Sequence, residues 1–408
     1  MNRAAIILVT LISLFMFGCE KDRAKVSAAA AATQESDTKV VKDLPFGIQG
    51  PETGSLSGIG MQVVYGAQLA ANEINSSGGI NGKPIRLINY DSRGDKTEAL
   101  YASIRLTNKD KVCAIIGEPT SGGVIAVRKI IDNSKTVAIS PGATADGVTI
   151  EIDIEGKKIE NFSYIFRNTL LDKDGVPVTI KFLLDNRNWR NYVIITSTDN
   201  DYSVGLSELF RNAIIANNGK VVSEESITDQ DTDVSQQVQR LRGKVFDAVI
   251  FTGYYSSAAN ILLEMRKQGI NAPMLGGDGL LLPELFQLAK DAAIGTVAFS
   301  GFADGSDSQI VKDFNRKIKA AGHESEMYAA QAYDAFYLLA NAAKAANVTD
   351  CSDPSQRIAM RNALAATRNF QGVSGVTNFD ADNNAVKIPF IQEIAKNPNG
   401  SYYFKLLN

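Results

Sequence analysis

Short apolar runs alternate with longer amphipathic segments along most of this 408-residue chain. Residues 59–75 repeat apolar side chains at spacings of three and four, which is the pattern of a helix with one buried face. Residues 44–48 and 84–90, on either side of it, are short and rich in Ile, Leu and Phe, as expected of buried strands. Regular alternation of the two patterns predicts helices packed on a parallel sheet.

The alternation continues to the carboxyl end of the chain. Further helices are predicted over 97–108, 176–186, 204–217, 234–241, 257–268, 307–320, 327–346 and 355–367. Further strands are predicted from Cys113 and Val137, over 191–196, 220–225, 248–252 and 273–276, and near Val376, Ile388 and Tyr402. Because the chain is too long for one core, we predict an α/β fold of two doubly wound parallel-sheet lobes in tandem. The late helices exceed what the second sheet needs, so we expect the chain to return to the first lobe.

Three of the apolar runs end in glycine or proline and continue into small polar residues. These segments are 113–123, 137–146 and 274–278. The carboxyl ends of parallel strands line a crevice, and the first two segments are predicted to open helices. Ser121 and Thr144 would then offer hydroxyl groups beside free backbone N–H groups, which suits a carboxylate. Asp278 supplies the opposite charge, so the three residues predict a site for a zwitterion such as an amino acid.

The amino terminus has the pattern of an export signal. Arg3 precedes an apolar stretch, residues 4–17, that is too short to span a bilayer and is followed by Gly18 and Cys19. We interpret residues 1–18 as a signal peptide and Cys19 as a lipidated first residue, with ordinary signal cleavage as the alternative. Residues 19–43 would form a flexible tether. The expected location is periplasmic or at the outer face of the cell membrane, with the lipid as the only membrane anchor.

Charge and histidine content narrow the range of functions. There are 42 basic and 45 acidic residues, the net charge is −3, and no basic cluster stands out, so we do not expect nucleic acid as a partner. The one histidine, His323, lies in a turn between predicted helices and is expected to be exposed. His323 in this turn offers no Ser-His-Asp arrangement, and one histidine leaves no plausible His/Cys metal cluster. Phosphate-loop and dinucleotide motifs are also missing. We therefore expect no enzyme activity, metal or cofactor.

Two cysteines follow Cys19. Cys113 lies in an apolar strand, where a small buried hydrophobic residue is the favoured interpretation, and Cys351 lies in a polar segment before a helix. A disulfide between these two residues after export is the alternative.

From about residue 44 to its end, the sequence resembles the branched-chain amino acid (Leu/Ile/Val) type of periplasmic substrate-binding protein. This is the type I family that supplies ABC importers. The segments that carry the resemblance are Gly50-Pro-Glu-Thr-Gly54, Ser57-Gly-Ile-Gly60, Gly66-Ala-Gln-Leu-Ala-Ala-Asn-Glu-Ile-Asn75, Asp91-Ser-Arg-Gly-Asp95, Ile116-Gly-Glu-Pro-Thr-Ser121, Ile139-Ser-Pro-Gly-Ala-Thr144, Arg167-Asn-Thr169 and Ala332-Tyr-Asp-Ala335. Each segment alone is weakly specific, but their order and spacing cover nearly the whole mature chain.

The resemblance implies a set of ligand-binding residues. The family holds the carboxylate of its ligand at positions that match Ser121 and Thr144, with backbone groups of Thr120 and Gly142 beside them. It holds the ammonium group with an acidic residue that matches Asp278. Tyr202 and Tyr254 match aromatic positions that close over the ligand, and Tyr328 is a candidate for the side-chain end of the pocket.

The family fold also implies three hinge crossings, which we place near Thr169, 300–302 and 372–375. The first lobe would contain residues 44–168 and 302–373, and the second lobe would contain residues 169–301 and 374–408. The implied function is that of a monomeric receptor that delivers an amino acid, foremost a branched-chain one, to the permease and ATPase of an ABC importer. The alternatives are a lipoprotein sensor of the same fold and a receptor for another amino acid, an amide, urea or an aromatic acid.

Structural roles compete with some of these assignments. Ser121 and Thr144 could simply cap helices, and Asp278 could cap the helix that follows it. Pro45 falls inside the first strand, which should be central, where a missing N–H group is normally excluded. Residues 150–158 form a polar insertion that predicts a hairpin and matches no functional element of the family.

Overall fold

The computed structural model describes residues 42–153, 155 and 157–408 of the chain. The predicted signal peptide, the lipidation site Cys19 and most of the tether lie outside the described residues. Residues 42–408 form one compact unit. In this part of the chain, no helix is long and apolar enough to cross a membrane.

The predicted alternation of strands and helices is confirmed, with element ends that differ by a few residues. The strands are β1 (Leu44–Gly50), β2 (Ile85–Asp91), β3 (Ala114–Ile116), β4 (Val137–Ser140), β5 (Ile150–Ile152), β6 (Lys158–Asn161), β7 (Ile165–Arg167), β8 (Asn191–Ser197), β9 (Lys220–Ile227), β10 (Ala248–Phe251), β11 (Met274–Gly276), β12 (Val297–Ser300), β13 (Phe370–Gly372), β14 (Gly375–Thr377), β15 (Phe390–Lys396) and β16 (Tyr402–Leu406). The polar insertion forms the predicted hairpin, in which β5 and β6 pair antiparallel.

The helices lie between these strands and cover the faces of the two main sheets. They are α1 (Ser57–Ser76), α2 (Lys96–Ile104), α3 (Ser121–Ser134), α4 (Asp172–Arg187), α5 (Asp201–Ala216), α6 (Ser235–Gln239), α7 (Tyr255–Lys267), α8 (Pro283–Ala289), α9 (Gln309–Ala320), α10 (Met327–Ala345) and α11 (Pro354–Ala365). A π-helical turn, Arg105–Lys109, extends α2, and 3₁₀ turns occupy Asp278–Leu280 and Lys290–Ala293.

Two sheets with the same strand order form the two lobes. The first sheet is parallel, in the order β2-β1-β3-β4-β7. In the second sheet, β9-β8-β10-β11-β12 repeat this order in parallel, and β15 and β16 add antiparallel at the edge. The order reverses beside the first strand of each sheet, and ligands of such folds bind at the carboxyl ends of the strands near that point.

Pro45 lies in the central strand β1, the position that the sequence pattern made doubtful. Leu44 donates its N–H group to the carbonyl of Pro84 on the β2 side, so the nitrogen of Pro45 faces the β3 side. Pairing with β3 starts only at Gly47, opposite Ile115. The proline therefore precedes the β3 ladder and removes no hydrogen bond from it.

The chain passes between the two sheets three times. The first passage lies between β7 and α4, and the second follows β12. The predicted third crossing at 372–375 is instead the turn of the β13–β14 hairpin. The chain then stays beside the first sheet, because Asn384 forms a β-bridge with Arg167. The side-chain oxygen of Asn384 also accepts a 2.6 Å hydrogen bond from the Nε atom of Arg167. It enters the second sheet only at β15.

Helix α10 belongs to the first lobe, as expected from the surplus of late helices. It packs along α1, and the two helix backbones approach closely at Gly66, where any Cβ atom would collide with the carbonyl oxygen of Ala329. The rings of Phe46 and Phe336, 5.3 Å apart between centroids, join the same helix to the first strand. This packing fixes the start of α10, which carries Tyr328, against the first sheet.

Cys113 and Cys351 form a disulfide, with Cα atoms 4.5 Å apart and a sequence separation of 238. The favoured interpretation of Cys113 as an unpaired hydrophobic residue was therefore wrong. Cys351 is buried although it lies in a polar segment, and the side chain of Arg357 donates a 2.6 Å hydrogen bond to the Cys351 carbonyl and another to the carbonyl of Ser134. The disulfide between Cys113 and Cys351 joins the start of β3 to the segment before α11.

Loss of this disulfide is expected to destabilise the protein by roughly 2–5 kcal/mol, because the bond restricts the unfolded chain. Thermal unfolding of the oxidised and reduced protein measures the effect as a lower Tm after reduction. The double variant Cys113→Ala with Cys351→Ala is the control, since a reductant should not change its Tm. Equal Tm values for the oxidised and reduced wild-type protein would contradict the prediction.

Candidate functional site

The loop after β3 places two hydroxyl groups at the amino end of α3. Thr120 is the helix cap, and its Oγ1 atom accepts the N–H group of Gly123 at 3.3 Å. Ser121 is the first helical residue, and its Oγ atom accepts the N–H group of Ala145 at 3.2 Å. Thr120 therefore takes the capping role that competed with ligand binding at Ser121. The Ser121 hydroxyl keeps its own proton for donation, beside the first N–H groups of the helix, which have no intrahelical partner.

The predicted helix after Thr144 is wrong, because a loop follows β4. The backbone of this loop is held by serine side chains: Ser140 Oγ accepts the N–H groups of Gly142 and Ala143 at 3.4 and 3.0 Å, and Ser121 accepts that of Ala145. Thr144 is buried in the loop and does not cap a helix. Its hydroxyl donates a 3.0 Å hydrogen bond to the Oδ2 atom of Asp172.

Asp278 lies in the second lobe, just after β11, and only 3% of its surface is exposed. Its side chain caps no helix. Tyr202 donates a 3.0 Å hydrogen bond to its Oδ1 atom, whereas its Oδ2 atom is buried and has no hydrogen-bond partner in the described part of the chain. Burial raises the pKa of Asp278 to about 7, although the hydrogen bond from Tyr202 partly opposes this shift.

The three tyrosines predicted to contact the ligand surround Asp278. Tyr202 and Tyr254, at the starts of α5 and α7, stack with ring centroids 5.1 Å apart. Tyr328, from the first lobe, presses its ring on Gly142, where no Cβ atom would fit. All three are buried. Burial, together with the charge of Asp278, raises the pKa of each phenol well above its ordinary value, so the hydroxyls stay neutral.

A second buried carboxyl group, that of Asp172, was missed by the sequence analysis. It is the first residue of α4 and is fully buried, and its Oδ1 atom has no hydrogen-bond partner among the described residues. Burial and then the charge of Asp278 raise the pKa of Asp172 well above its ordinary value. An acidic residue in the first turn of a helix is usually exposed, so the sequence carries no signal that would distinguish it from Asp174.

The protonation state of Asp172 determines what Thr144 can donate. An ionised Asp172 accepts the only proton of the Thr144 hydroxyl, and that proton is then not available to a ligand. A protonated Asp172 can donate to the Thr144 oxygen instead, which frees the hydroxyl to donate to an anion. Arg167 is close enough to lower the pKa of Asp172, but it donates its hydrogen bonds to the carbonyls of Ala143 and Ala145.

The two lobes touch on both sides of these residues. Lys96 in the first lobe and Asp201 in the second form an ion pair of 2.6 Å, and the N–H group of Gly58 donates to the hydroxyl of Tyr255 across the cleft at 3.2 Å. Tyr255 was not predicted from the sequence to join the lobes. A cavity of about 70 Å³ between the lobes is lined by Thr120 and by other residues of both lobes, Tyr254 among them.

His323 is half-buried, because its ring stacks on Tyr65 at a centroid distance of 3.5 Å, so the expectation of an exposed loop residue was wrong. Within the described residues, no group of three or more His, Cys, Asp and Glu side chains is placed to hold a metal ion.

The candidate site consists of hydroxyl groups and a helix start from one lobe, and a carboxylate with aromatic rings from the other. Asp172, at the passage between the lobes, lies beside both halves.

Comparison with known proteins gives a consistent result. The family model described as periplasmic binding protein matches residues 43–396. An amino acid binding protein from Pseudomonas aeruginosa is 27% identical over 328 residues, which cover 80% of this chain and 84% of that protein.

Two solved structures have a similar fold over almost their whole length. The branched-chain amino acid transporter substrate binding protein LivJ from Streptococcus pneumoniae, in complex with isoleucine, is 32% identical, with a TM-score of 0.80 over 90% of this chain and 99% of that one. The leucine binding protein LivK from Thermotoga maritima is 29% identical, with a TM-score of 0.79 and the same coverage. This chain therefore belongs to the type I periplasmic binding proteins, within their branched-chain amino acid family.

Proposed function

We propose that this protein is an extracytoplasmic receptor that binds an amino acid, foremost a branched-chain one, and delivers it to an ABC importer. The observation that carries the proposal is the buried carboxyl group of Asp278, one oxygen of which has no hydrogen-bond partner among the described residues. A ligand ammonium group would satisfy both its charge and its hydrogen-bonding capacity. The binding of isoleucine by the relative from S. pneumoniae supports the same ligand class.

In this proposal the ligand carboxylate binds to the first lobe. Ser121 donates its hydroxyl proton, and the first N–H groups of α3 add their partial positive charge. Thr144 donates as well once Asp172 carries a proton. The backbone groups of Thr120 and Gly142 complete this half of the site. The second lobe then supplies Asp278 for the ammonium group, with Tyr202 and Tyr254 stacked beside it.

The aliphatic side chain of the ligand would pack against the rings of Tyr202, Tyr254 and Tyr328, which suits leucine, isoleucine and valine. A ligand without an amino group, such as an aromatic acid, would leave Asp278 unpaired. A ligand without a carboxylate, such as urea, would leave the start of α3 unused. Asp278 therefore disfavours ligands without an amino group, and the start of α3 disfavours ligands without a carboxylate.

Closure of the lobes over the ligand would produce the form that docks on a permease, and the ATPase of the importer would drive uptake. A sensor of the same fold would bind the same ligand and differ only in its partner. Family membership places the protein outside the cytoplasm, where the Cys113–Cys351 disulfide is stable.

We also propose that Cys19 is acylated and anchors the mature chain. Labelling of cells with an alkyne fatty acid should mark the wild-type protein and leave Cys19→Ala unmarked and released from the membrane fraction. Cys113→Ala is the control for loss of a cysteine and should keep the label. An unlabelled wild-type protein, or a labelled Cys19→Ala variant, would contradict the proposal.

The soluble chain from Lys21 onward is expected to show a selective rise in Tm with leucine, isoleucine or valine. Asp278→Asn should weaken binding by at least about 30-fold, because loss of one partner of a buried charge pair costs roughly 2–5 kcal/mol. The exposed carboxylate Asp307 offers a matched control, and Asp307→Asn should bind as the wild type does. A rise in Tm only with ligands that lack an amino group, unchanged in Asp278→Asn, would refute the proposed ligand class.

Ligand affinity is expected to rise with pH up to about 7. The ligand ammonium group binds ionised Asp278, whose pKa is raised to about 7, so affinity should fall up to about tenfold for each pH unit below that value. Between pH 4 and 7 the native protein binds more protons at this residue than the unfolded chain does, so the ligand-free protein should lose stability as pH rises. Calorimetric titration with leucine from pH 5 to 8 tests this, and the slope should vanish in Asp278→Asn. A pH-independent affinity in the wild type would contradict the assignment.

A further inference from the structure

A second cavity, of about 140 Å³, lies between the lobes and apart from the amino acid site. Its walls come from the second lobe at α8 and β16, and from the segment that leads into α10 of the first lobe. None of the residues predicted to bind the amino acid lines it. By the volume that a water molecule occupies, it has room for about ten waters, or for a small organic molecule.

The charged groups that line this cavity are all acidic. Asp304 and Glu324 are exposed at its mouth, and Glu326 is buried, with 7% of its surface exposed. Among the described residues that form the lining, none is a lysine or an arginine. Beside Tyr402 of the lining, Asp291 illustrates the usual arrangement, since it pairs with Lys396 at 2.6 Å.

Glu326 is the buried carboxyl group of these three. Its Oε2 atom is buried and has no hydrogen-bond partner in the described part of the chain. Burial, and then the charges of Glu284, Glu324 and Asp304, raise the pKa of Glu326 well above its ordinary value. A buried carboxyl group in this state is stabilised by a cation that also donates hydrogen bonds.

Aromatic rings form the opposite wall. Phe286 stacks on Tyr402 with ring centroids 5.3 Å apart and contacts Phe404 at 5.6 Å. The faces of such rings attract organic cations, and more strongly where water is excluded. The combination of buried carboxylate and ring faces suits an alkylammonium group better than a neutral molecule.

A metal ion does not fit the same residues. No group of three or more potential ligands converges in the part of the chain that the structure describes, so Asp304, Glu324 and Glu326 are spread around the cavity. One carboxylate at the bottom and two at the mouth match a cation with two separated positive charges.

We propose that this cavity binds a short aliphatic diamine. One ammonium group contacts Glu326 and lies against the ring of Phe286, since Lys396 already lies over the ring of Tyr402. The other ammonium group lies at the mouth, beside Glu324 and Asp304. The site is separate from the amino acid site and does not depend on the identity of the amino acid.

Calorimetric titration of the soluble chain with 1,4-diaminobutane at physiological salt tests the proposal, and 1,4-butanediol serves as the uncharged analogue of the same shape. The diamine should bind with one site per chain and the diol should not bind. Glu326→Gln should weaken diamine binding at least tenfold. Asp307→Asn removes a fully exposed carboxylate next to α9 and should leave the affinity for the diamine within twofold of the wild-type value.

Asp278→Asn separates the two sites, because it should weaken leucine binding at least about 30-fold and leave diamine binding unchanged. Phe286→Leu keeps the apolar packing, removes one ring face, and should weaken the diamine severalfold even if Glu326→Gln fails to fold. The proposal is overturned if the wild type does not bind the diamine, if the diol binds equally well, or if Glu326→Gln binds as the wild type does. It is equally overturned if Asp278→Asn abolishes diamine binding, since the amine would then occupy the amino acid site.

Discussion

Two carboxyl groups, those of Asp278 and Asp172, are buried near each other in the cleft, and each has an oxygen without a hydrogen-bond partner in the part of the chain that the structure describes. Two like charges in such a position can persist only if one of them is protonated or if a cation joins them. Arg167, whose charge lowers the pKa of Asp172, directs its hydrogen bonds to backbone carbonyls and to Asn384. The closed arrangement of the lobes therefore depends on a proton or on a positive charge supplied from outside the chain.

This constraint links recognition to closure. The residues that suit a carboxylate, foremost Ser121, belong to the first lobe, whereas Asp278 belongs to the second, so a zwitterion contacts both halves only when the lobes meet. The half-exposed ion pair between Lys96 and Asp201 joins the lobes at the rim, but such pairs contribute little stability. The charges of the ligand would supply most of the electrostatic energy that favours closure, since they act where water is excluded.

Much of this architecture could be predicted from the sequence, because strand ends in a parallel sheet are marked by glycine, proline and small polar residues. Ser121 and Asp278 were located in this way. The helix predicted after Thr144 was wrong, since its loop is held by the side chains of Ser140 and Ser121, which are contacts that no local pattern encodes. Asp172 has the local sequence of an ordinary helix start, and only the packing of the lobes buries it. The late third crossing and the disulfide likewise depend on pairing between distant segments.

The most direct test of this account compares leucine with 4-methylpentanoate, which is leucine without its amino group, by calorimetric titration of the wild-type protein at pH 7.5. The two ligands share the carboxylate and the side chain, so the difference isolates the ammonium group. The account predicts that leucine binds at least about 30-fold more tightly, because 4-methylpentanoate leaves the charge of Asp278 buried and unpaired. Equal affinities would show that the buried carboxyl groups do not recognise the ligand, and the central claim would be wrong.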